Sequence, residues 1–291
     1  MKNILPLILF ASSLLALSYE EPEVVVELAK GSGNYEVGLA EEDVAIGPYR
    51  LVALDSTLYL LDQLNKRVLC YDTAGSFVRE IKTAFRPFDM AVDRSGRIYL
   101  LENRTQPAQV AILKDGKEIE RINIKYDAKH PVTALVAHPG DSLLFLSGSD
   151  LLQPVPESAG ILGYIPERKT FKLKRVELES LQVLEASGLR PLGIVTRFEG
   201  RTTEILLCYG DGRLWVGTET YIQDKSGSFS MREVIVLDES AEDEVYLPIP
   251  SSYYSYDTGW RNVSVDSQGN IYVFTSTSEG KASILRWCPS P

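Results

Sequence analysis

Residues Ala91–Glu102, AVDRSGRIYLLE, read as a short apolar strand, a polar turn and a second strand, and a near copy, SVDSQGNIYVFT, stands 173 residues later at Ser264–Thr275. In both, the Asp that closes the first strand can accept hydrogen bonds from turn amides, and a Gly three residues on can take the positive φ that the hairpin needs. Aligned on the aromatic residue of the second strand, three further segments follow the same pattern: VALDSTLYLLD from Val52, LVAHPGDSLLFLSG from Leu135 and LLCYGDGRLWVGT from Leu206. The aligned aromatics, Tyr59, Tyr99, Phe145, Trp215 and Tyr272, are expected to pack between neighbouring sheets, not to line a ligand stripe.

More strand follows each hairpin, as in RVLCYDTAGSFVREI (Arg67–Ile81) and AQVAILKDGKEIERINI (Ala108–Ile124), each with a Gly turn in its middle. Four antiparallel strands then make a unit of about 40 residues, the period of a β-propeller blade. A β-sandwich also has short, evenly spaced strands. It does not place the same hairpin at the same point of every unit. The aligned aromatics stand 40, 46, 70 and 57 residues apart, and the widest interval has room for a degenerate unit in Arg168–Arg201, where TFKLKRVEL and PLGIVTRF are strand candidates. Six blades give about 45 residues each, close to the usual size. The expected fold is therefore an all-β, six-bladed propeller, with five or seven blades as the alternatives. The strand EVVVELA (Glu23–Ala29) is a free partner for the last apolar strand, ASILRW, and pairing the two would close the ring and remove exposed sheet edges. One stretch, LESLQVLEASG near Glu179, reads as a short helix.

The chain opens with MKNILPLILFASSLLALS, in which Lys2 precedes an apolar run from Ile4 to Leu17 and small residues follow at Ala16 and Ser18. This is the pattern of a secretory signal peptide cleaved after about Ser18. The run is shorter than the roughly 20 residues that a spanning helix requires. Residues 1–18 are thus expected to be a leader and 19–291 a single domain, secreted or periplasmic, monomeric and not inserted in a membrane. The net charge of −10, with Lys and Arg scattered along the chain, excludes nucleic acid as an expected partner. Cys70, Cys208 and Cys288 lie in or beside apolar runs, which suits small buried side chains; export permits one bridge, and spacing does not select a pair. With only His130 and His138 to assist, a Cys/His catalytic pair or a zinc site has no spacing to support it.

RPFDMAVDRSGRIYLLE and GWRNVSVDSQGNIYVFT resemble the NHL-type repeats of exported six-bladed propellers, and GPYRLVALDSTLYLLDQLNKRVLCYDTAGSFVREI resembles a first repeat of that kind. The resemblance covers Gly47–Ile124 and Gly259–Phe274 and fades between Gln153 and Pro250. It implies a fold and ligand binding on one face of the ring, not a single reaction, since such propellers include lactonases, lyases and binding modules. The lactonases carry a metal-binding Glu in an opening Glu-Gly-Pro motif, where this chain has Ile46 before Gly47-Pro48; the lyases rely on several histidines, and this chain has two. Both departures weigh against an enzyme.

The loops that lead into first strands, and those after second strands, gather at one end of a propeller. Here they carry Tyr49, Arg50, Arg86, Phe88, Glu102, Glu219, Tyr221, Asp224 and the run SSYYSYDTGWR. Aromatic rings beside Arg and carboxylates suit a sugar or a peptide. The expected ligand-binding residues are Tyr49, Arg86, Phe88, Glu102, Tyr253, Tyr254, Tyr256, Trp260 and Arg261. In SYYSYDTGW the rings either form an exposed aromatic surface or tuck between blades. Asp89 and Asn262, each four residues before a turn Asp, are weak candidates for a calcium site, with two oxygens too few to define one. The sequence thus points to a non-enzymatic module that binds a protein, peptide or glycan without a cofactor. The alternative is a metal-dependent hydrolase or lyase using channel carboxylates such as Asp89 and Glu102.

Overall fold

The computed structural model describes residues 18–41, 44–48, 50–124, 132–137, 143–147, 151–154, 172–176, 180–185, 188–192, 201–210, 213–224, 227–238, 244–254 and 260–290. The leader assigned to residues 1–18 lies, apart from Ser18, outside them. So do Tyr49, His130, His138 and Tyr256.

Near the N-terminus lie β1 (Glu23–Lys30) and β2 (Glu36–Val37), then a small ribbon of β3 (Ala40–Glu41) and β4 (Ala45–Ile46). A first four-stranded sheet follows, of β5 (Arg50–Leu54), β6 (Thr57–Asp62), β7 (Arg67–Asp72) and β8 (Phe77–Lys82). A second holds β9 (Asp89–Val92), β10 (Ile98–Glu102), β11 (Ala108–Lys114) and β12 (Lys117–Ile124). Three-stranded sheets are formed by β13 (Val132–Ala137), β14 (Leu143–Ser147) and β15 (Leu151–Pro154), and by β16 (Lys172–Val176), β17 (Ser180–Glu185) and β18 (Gly188–Leu192). The next sheet has β19 (Arg201–Gly210), β20 (Arg213–Asp224), β21 (Gly227–Asp238) and β22 (Glu244–Pro248). The last combines β23 (Val263–Val265), β24 (Ile271–Ser276) and β25 (Lys281–Trp287) with β1 and β2. The chain is all-β, and among the described residues there is no helix.

Burial explains the strand sequences. The middle strands β6, β7, β9 and β10 are almost wholly buried, because neighbouring sheets cover both of their faces. The outermost strands β8 and β12 are mostly exposed and charged. Separate apolar clusters fill the spaces between consecutive sheets: Tyr59, Val68 and Cys70 meet Met90, Ile98 and Leu100, and Tyr99 and Leu101 meet Val132 and Leu135. Trp215 and Val234 meet Ile271 and Trp287. Leu51, Leu58 and Tyr71 meet Tyr272, Phe274 and Ile284 across the first and last sheets. Four of the five aligned aromatics therefore pack between sheets, and the side chain of Phe145 lies outside the described part.

The repeated turn is built as its residues dictate. Asp93 Oδ1 accepts hydrogen bonds from the amides of Ser95 and Arg97 at 2.9 and 3.0 Å, and Gly96 has φ of 76°. Asp266 does the same for Gln268 and Asn270, with Gly269 at 83°. The N-terminal strand pairs antiparallel with β25 from Glu23↔Arg286 to Ala29↔Lys281. Immediately before it, the Tyr19 hydroxyl donates to the Gly269 carbonyl and accepts from the Trp215 indole, both at 2.9 Å.

Two expectations are corrected. LESLQVLEASG is not helical, since Ser180–Glu185 is a strand paired on both sides, with β16 and β18. Its residues alternate as well as they repeat at helical spacing, and the two ladders decide between the periods. Glu219, Tyr221 and Asp224 are not loop residues, because the ladder between β20 and β21 runs on to Asp224↔Gly227. The Thr, Tyr and Ile of that stretch favour extended backbone.

Candidate functional site

Register places a set of polar residues at one level. Arg50 on β5 pairs with Leu61, two residues past Tyr59. Asp89 on β9 pairs with Leu101, two past Tyr99. Asn262, just before β23, receives the amide of Phe274, two past Tyr272, at 2.9 Å. Arg50, Asp89 and Asn262 are therefore equivalent positions at the starts of three first strands. Those strands touch: the Leu51 amide donates to the Arg261 carbonyl and the Ala53 amide to Ser264 Oγ, both at 2.9 Å.

Asp89 is the centre of the site. Its side chain is 1 % exposed, and Oδ2 accepts the Leu135 amide of β13 at 2.7 Å. Arg50 Nε lies 3.7 Å from Oδ1 and donates to the Met90 carbonyl at 2.8 Å. Arg261 Nη1 lies 3.7 Å from Oδ2 and donates to the Leu135 carbonyl at 3.3 Å. The Arg261 side chain thus reaches from the start of β23 to β9 and β13, crossing between sheets that are distant in the chain. Oδ1 of Asp89 is buried and accepts no hydrogen bond among the described residues. The Gln63 carbonyl oxygen, just past β6, is a second such acceptor, while its amide nitrogen holds the Gly47 carbonyl at 2.9 Å. A buried acceptor left without a donor costs about 1–3 kcal/mol, so both oxygens are places where a donor from outside the chain would be stabilising.

The other sequence-assigned residues divide. Arg86 and Phe88 are half-buried on the segment that leads into β9. Glu102 does not join Asp89; it pairs with Arg121 of β12 at 2.9 Å, and the Arg121 guanidinium lies over the Phe85 ring. The run SSYYSYDTGWR is split. Tyr253 is half exposed, whereas Tyr254 is buried between the first and last sheets, its hydroxyl donating to Glu41 Oε1 at 2.9 Å. That hydrogen bond raises the Tyr254 pKa. Trp260 is buried too, on the other side of the last sheet. A Cβ added to Gly217 would stand 2.6 Å from its ring, and the Arg232 guanidinium covers it 4.1 Å from the centroid. Of the two readings left open for this run, Tyr254 and Trp260 follow the one in which rings tuck between sheets, and Tyr253 stays half exposed.

Asp89 and Asn262, the two weak calcium candidates, already have partners within the chain. Two guanidinium groups flank Asp89, and Asn262 gives its amide nitrogen to the Phe274 carbonyl at 2.8 Å while its oxygen accepts from Arg232 at 3.3 Å. Among the described residues no group of three or more His, Cys, Asp or Glu could hold a metal ion. Cys70 and Cys288 are free thiols, and burial raises the pKa of each.

Sequence reasoning placed Arg50 in a loop of this face without linking it to Asp89. By register the first hairpin is one residue shorter than its counterpart between β9 and β10, so counting back from the turn Asp lands on Leu51 and counting back from the aromatic lands on Tyr49; only the strand pairing puts Arg50 level with Asp89.

No protein-family model matches the sequence, and no curated protein matches it either. Among solved structures, the chain is similar to a member of the DUF4221 family from Bacteroides vulgatus at 11% identity, over 94% of this chain and 97% of that one, with a TM-score of 0.59. It is also similar to a structural genomics protein of unknown function from Bacteroides thetaiotaomicron, at 11% identity over 92% of this chain and 76% of that one, TM-score 0.52. A streptogramin B lyase matches at 10% identity over 84% and 93%, TM-score 0.46, too distant to speak for the chemistry of this chain. The likeness extends to the fold alone, which is propeller-like. No helix among the described residues is long and apolar enough to cross a membrane.

Proposed function

We propose that this chain is an exported, non-enzymatic β-propeller of NHL-like repeats that binds a protein, peptide or glycan on the face where its first strands begin. The ring has six blades, one for each sheet from the β5–β8 sheet to the β23–β25 sheet, and β1 completes the last blade. The observation that carries the binding role is the Arg50–Asp89–Arg261 cluster: charged groups from distant units converge on a buried carboxylate whose Oδ1 accepts no hydrogen bond among the described residues. Such placement is costly for stability alone, and it supplies the few convergent polar groups that fix a ligand's orientation. The metal-dependent reading is not favoured, because the guanidinium groups of Arg50 and Arg261, each 3.7 Å from an Asp89 oxygen, repel a cation there.

The test is capture by residues 19–291, fluorescently labelled, on arrays of immobilised glycans and peptides. Saturable binding that Arg261→Ala abolishes, in a protein that circular dichroism shows still folded at the assay temperature, is expected. Turnover of lactones or glycans by the dialysed protein together with a stoichiometric bound metal would overturn the reading.

A further inference from the structure

We infer that the Arg50–Asp89–Arg261 cluster is a subsite for a carboxylated sugar of the uronate class, an inference that rests on the binding role proposed above. Arg261 uses Nη1 for the Leu135 carbonyl and the flank of Asp89. Among the described residues, its Nε and Nη2 edge makes no hydrogen bond, and the side chain is 15% exposed. That edge is the planar two-donor fork that grips a carboxylate in parallel hydrogen bonds. Beside it, Asp89 Oδ1 accepts no hydrogen bond among the described residues. A ligand that satisfies both must carry a carboxylate with a hydrogen-bond donor close to it.

Charge and geometry narrow the class. Among the described residues the cluster holds two arginines and one aspartate, a balance that favours a monoanion beside it. An ammonium group is disfavoured as the donor, because any cation reaching Oδ1 would meet Arg50 Nε, 3.7 Å from the same oxygen. A neutral donor, a hydroxyl or an amide, remains. A peptide C-terminus offers one amide N–H next to its carboxylate. A uronate offers several hydroxyls, and the buried Gln63 oxygen, at the same end of the neighbouring sheet, is a second acceptor in want of a donor. Two waiting acceptors and one waiting fork match an acidic polyol better than a peptide end. The exposed ring of Tyr253 on the last sheet's loop is a stacking surface for an adjoining sugar.

The experiment is calorimetric titration of residues 19–291 with digalacturonate, its methyl ester, the neutral digalactose, and an N-acetylated tripeptide with a free C-terminus. Digalacturonate is expected to bind at least about tenfold more tightly than its ester or the neutral sugar, the loss for a hydrogen bond to a charged group. Arg261→Lys keeps the charge and loses the fork, so it should weaken digalacturonate by about tenfold or more and leave the melting temperature unchanged. Asp89→Asn should weaken it too, and if that variant fails to fold, Arg261→Lys alone decides. Equal affinity for acidic and neutral sugars, or no affinity for any sugar, overturns the inference. Tighter binding of the tripeptide also overturns it while leaving the binding role standing, and array capture decides that role separately.

Discussion

Replacing Trp260 with Ala should destabilise the protein strongly, because the ring is core although its neighbours in sequence look like a ligand surface. The side chain is 6% exposed, one face lies on the Gly217 backbone and the other is covered by the Arg232 guanidinium, 4.1 Å from the centroid. Truncating a buried Trp costs about 3–5 kcal/mol, and losing a partly desolvated cation–π contact adds about 0.5–2 kcal/mol. For a chain of this size each kcal/mol lowers Tm by about 2–4 °C, so the combined loss of about 3.5–7 kcal/mol lowers Tm by about 7–28 °C. The backbone supplies an internal control. Trp260 has φ of 68°, a left-handed conformation that costs a non-glycine residue about 1–2 kcal/mol. Trp260→Gly relieves that strain and should melt about 2–4 °C above Trp260→Ala, the reverse of the usual order. Tyr253→Ala, at a half-exposed ring, should change stability by about 0.5 kcal/mol at most. Thermal denaturation of residues 19–291 followed by circular dichroism and calorimetry measures all three. A Trp260→Ala protein that melts within about 2 °C of the parent would refute the buried placement.

Asp93 accepts the amides of Ser95 and Arg97, the Arg97 guanidinium at 2.6 Å and the Tyr99 hydroxyl at 2.7 Å. Burial pushes its pKa up, but the hydrogen bonds from Tyr99, Ser95 and Arg97 outweigh that and hold it below the ordinary aspartate value. Its contribution is therefore present above the unfolded pKa of about 3.9 and lost as pH falls through the lower folded value. Asp93→Asn should cost about 1.5–3 kcal/mol at pH 7, and urea titrations should show that gap closing below about pH 4; a constant gap would contradict the assignment. Gly75→Ala tests the seat of the N-terminal strand: Gly75 has φ of 90°, and a Cβ there would stand 1.7 Å from the Val25 carbonyl oxygen. The variant should expose the β1 amides to hydrogen exchange and lower stability by about 1–3 kcal/mol; unchanged protection of β1 would count against the contact.

What the sequence made legible is local chemistry. The Asp and Gly of the turn at Asp93–Gly96 act on amides within four residues, and the same letters at Asp266–Gly269 make the same turn. Alternation and turn spacing fixed the strands around them for the same reason. LESLQVLEASG was misread because its two periods are equally well filled, and only pairing with β16 and β18 chooses between them. The burial of Trp260 was hidden because the surface it lies on, Gly217, belongs to a different unit 43 residues earlier.

The candidate site was half legible for a reason that follows from repetition itself. A repeat marks equivalent positions, and Asp89 and Asn262 stood out by their distance from the turn Asp. It does not say which equivalent positions differ usefully. Arg50 occupies the same level as Asp89 in the adjoining sheet, so one position is filled by a cation in one unit and an anion in the next. Arg261, one residue ahead of that level in a third unit, extends to the same carboxylate. Side chains at one level of successive first strands meet only when the sheets are brought around a common axis, so a pairing between residues 89 and 261 carries no local signal. Selection on the fold alone would favour apolar or neutral residues at such buried positions, as Leu135 and Val263 illustrate nearby. The charged exceptions tie neighbouring sheets together through the Met90 and Leu135 backbone, and on the binding role proposed above they also answer to a ligand.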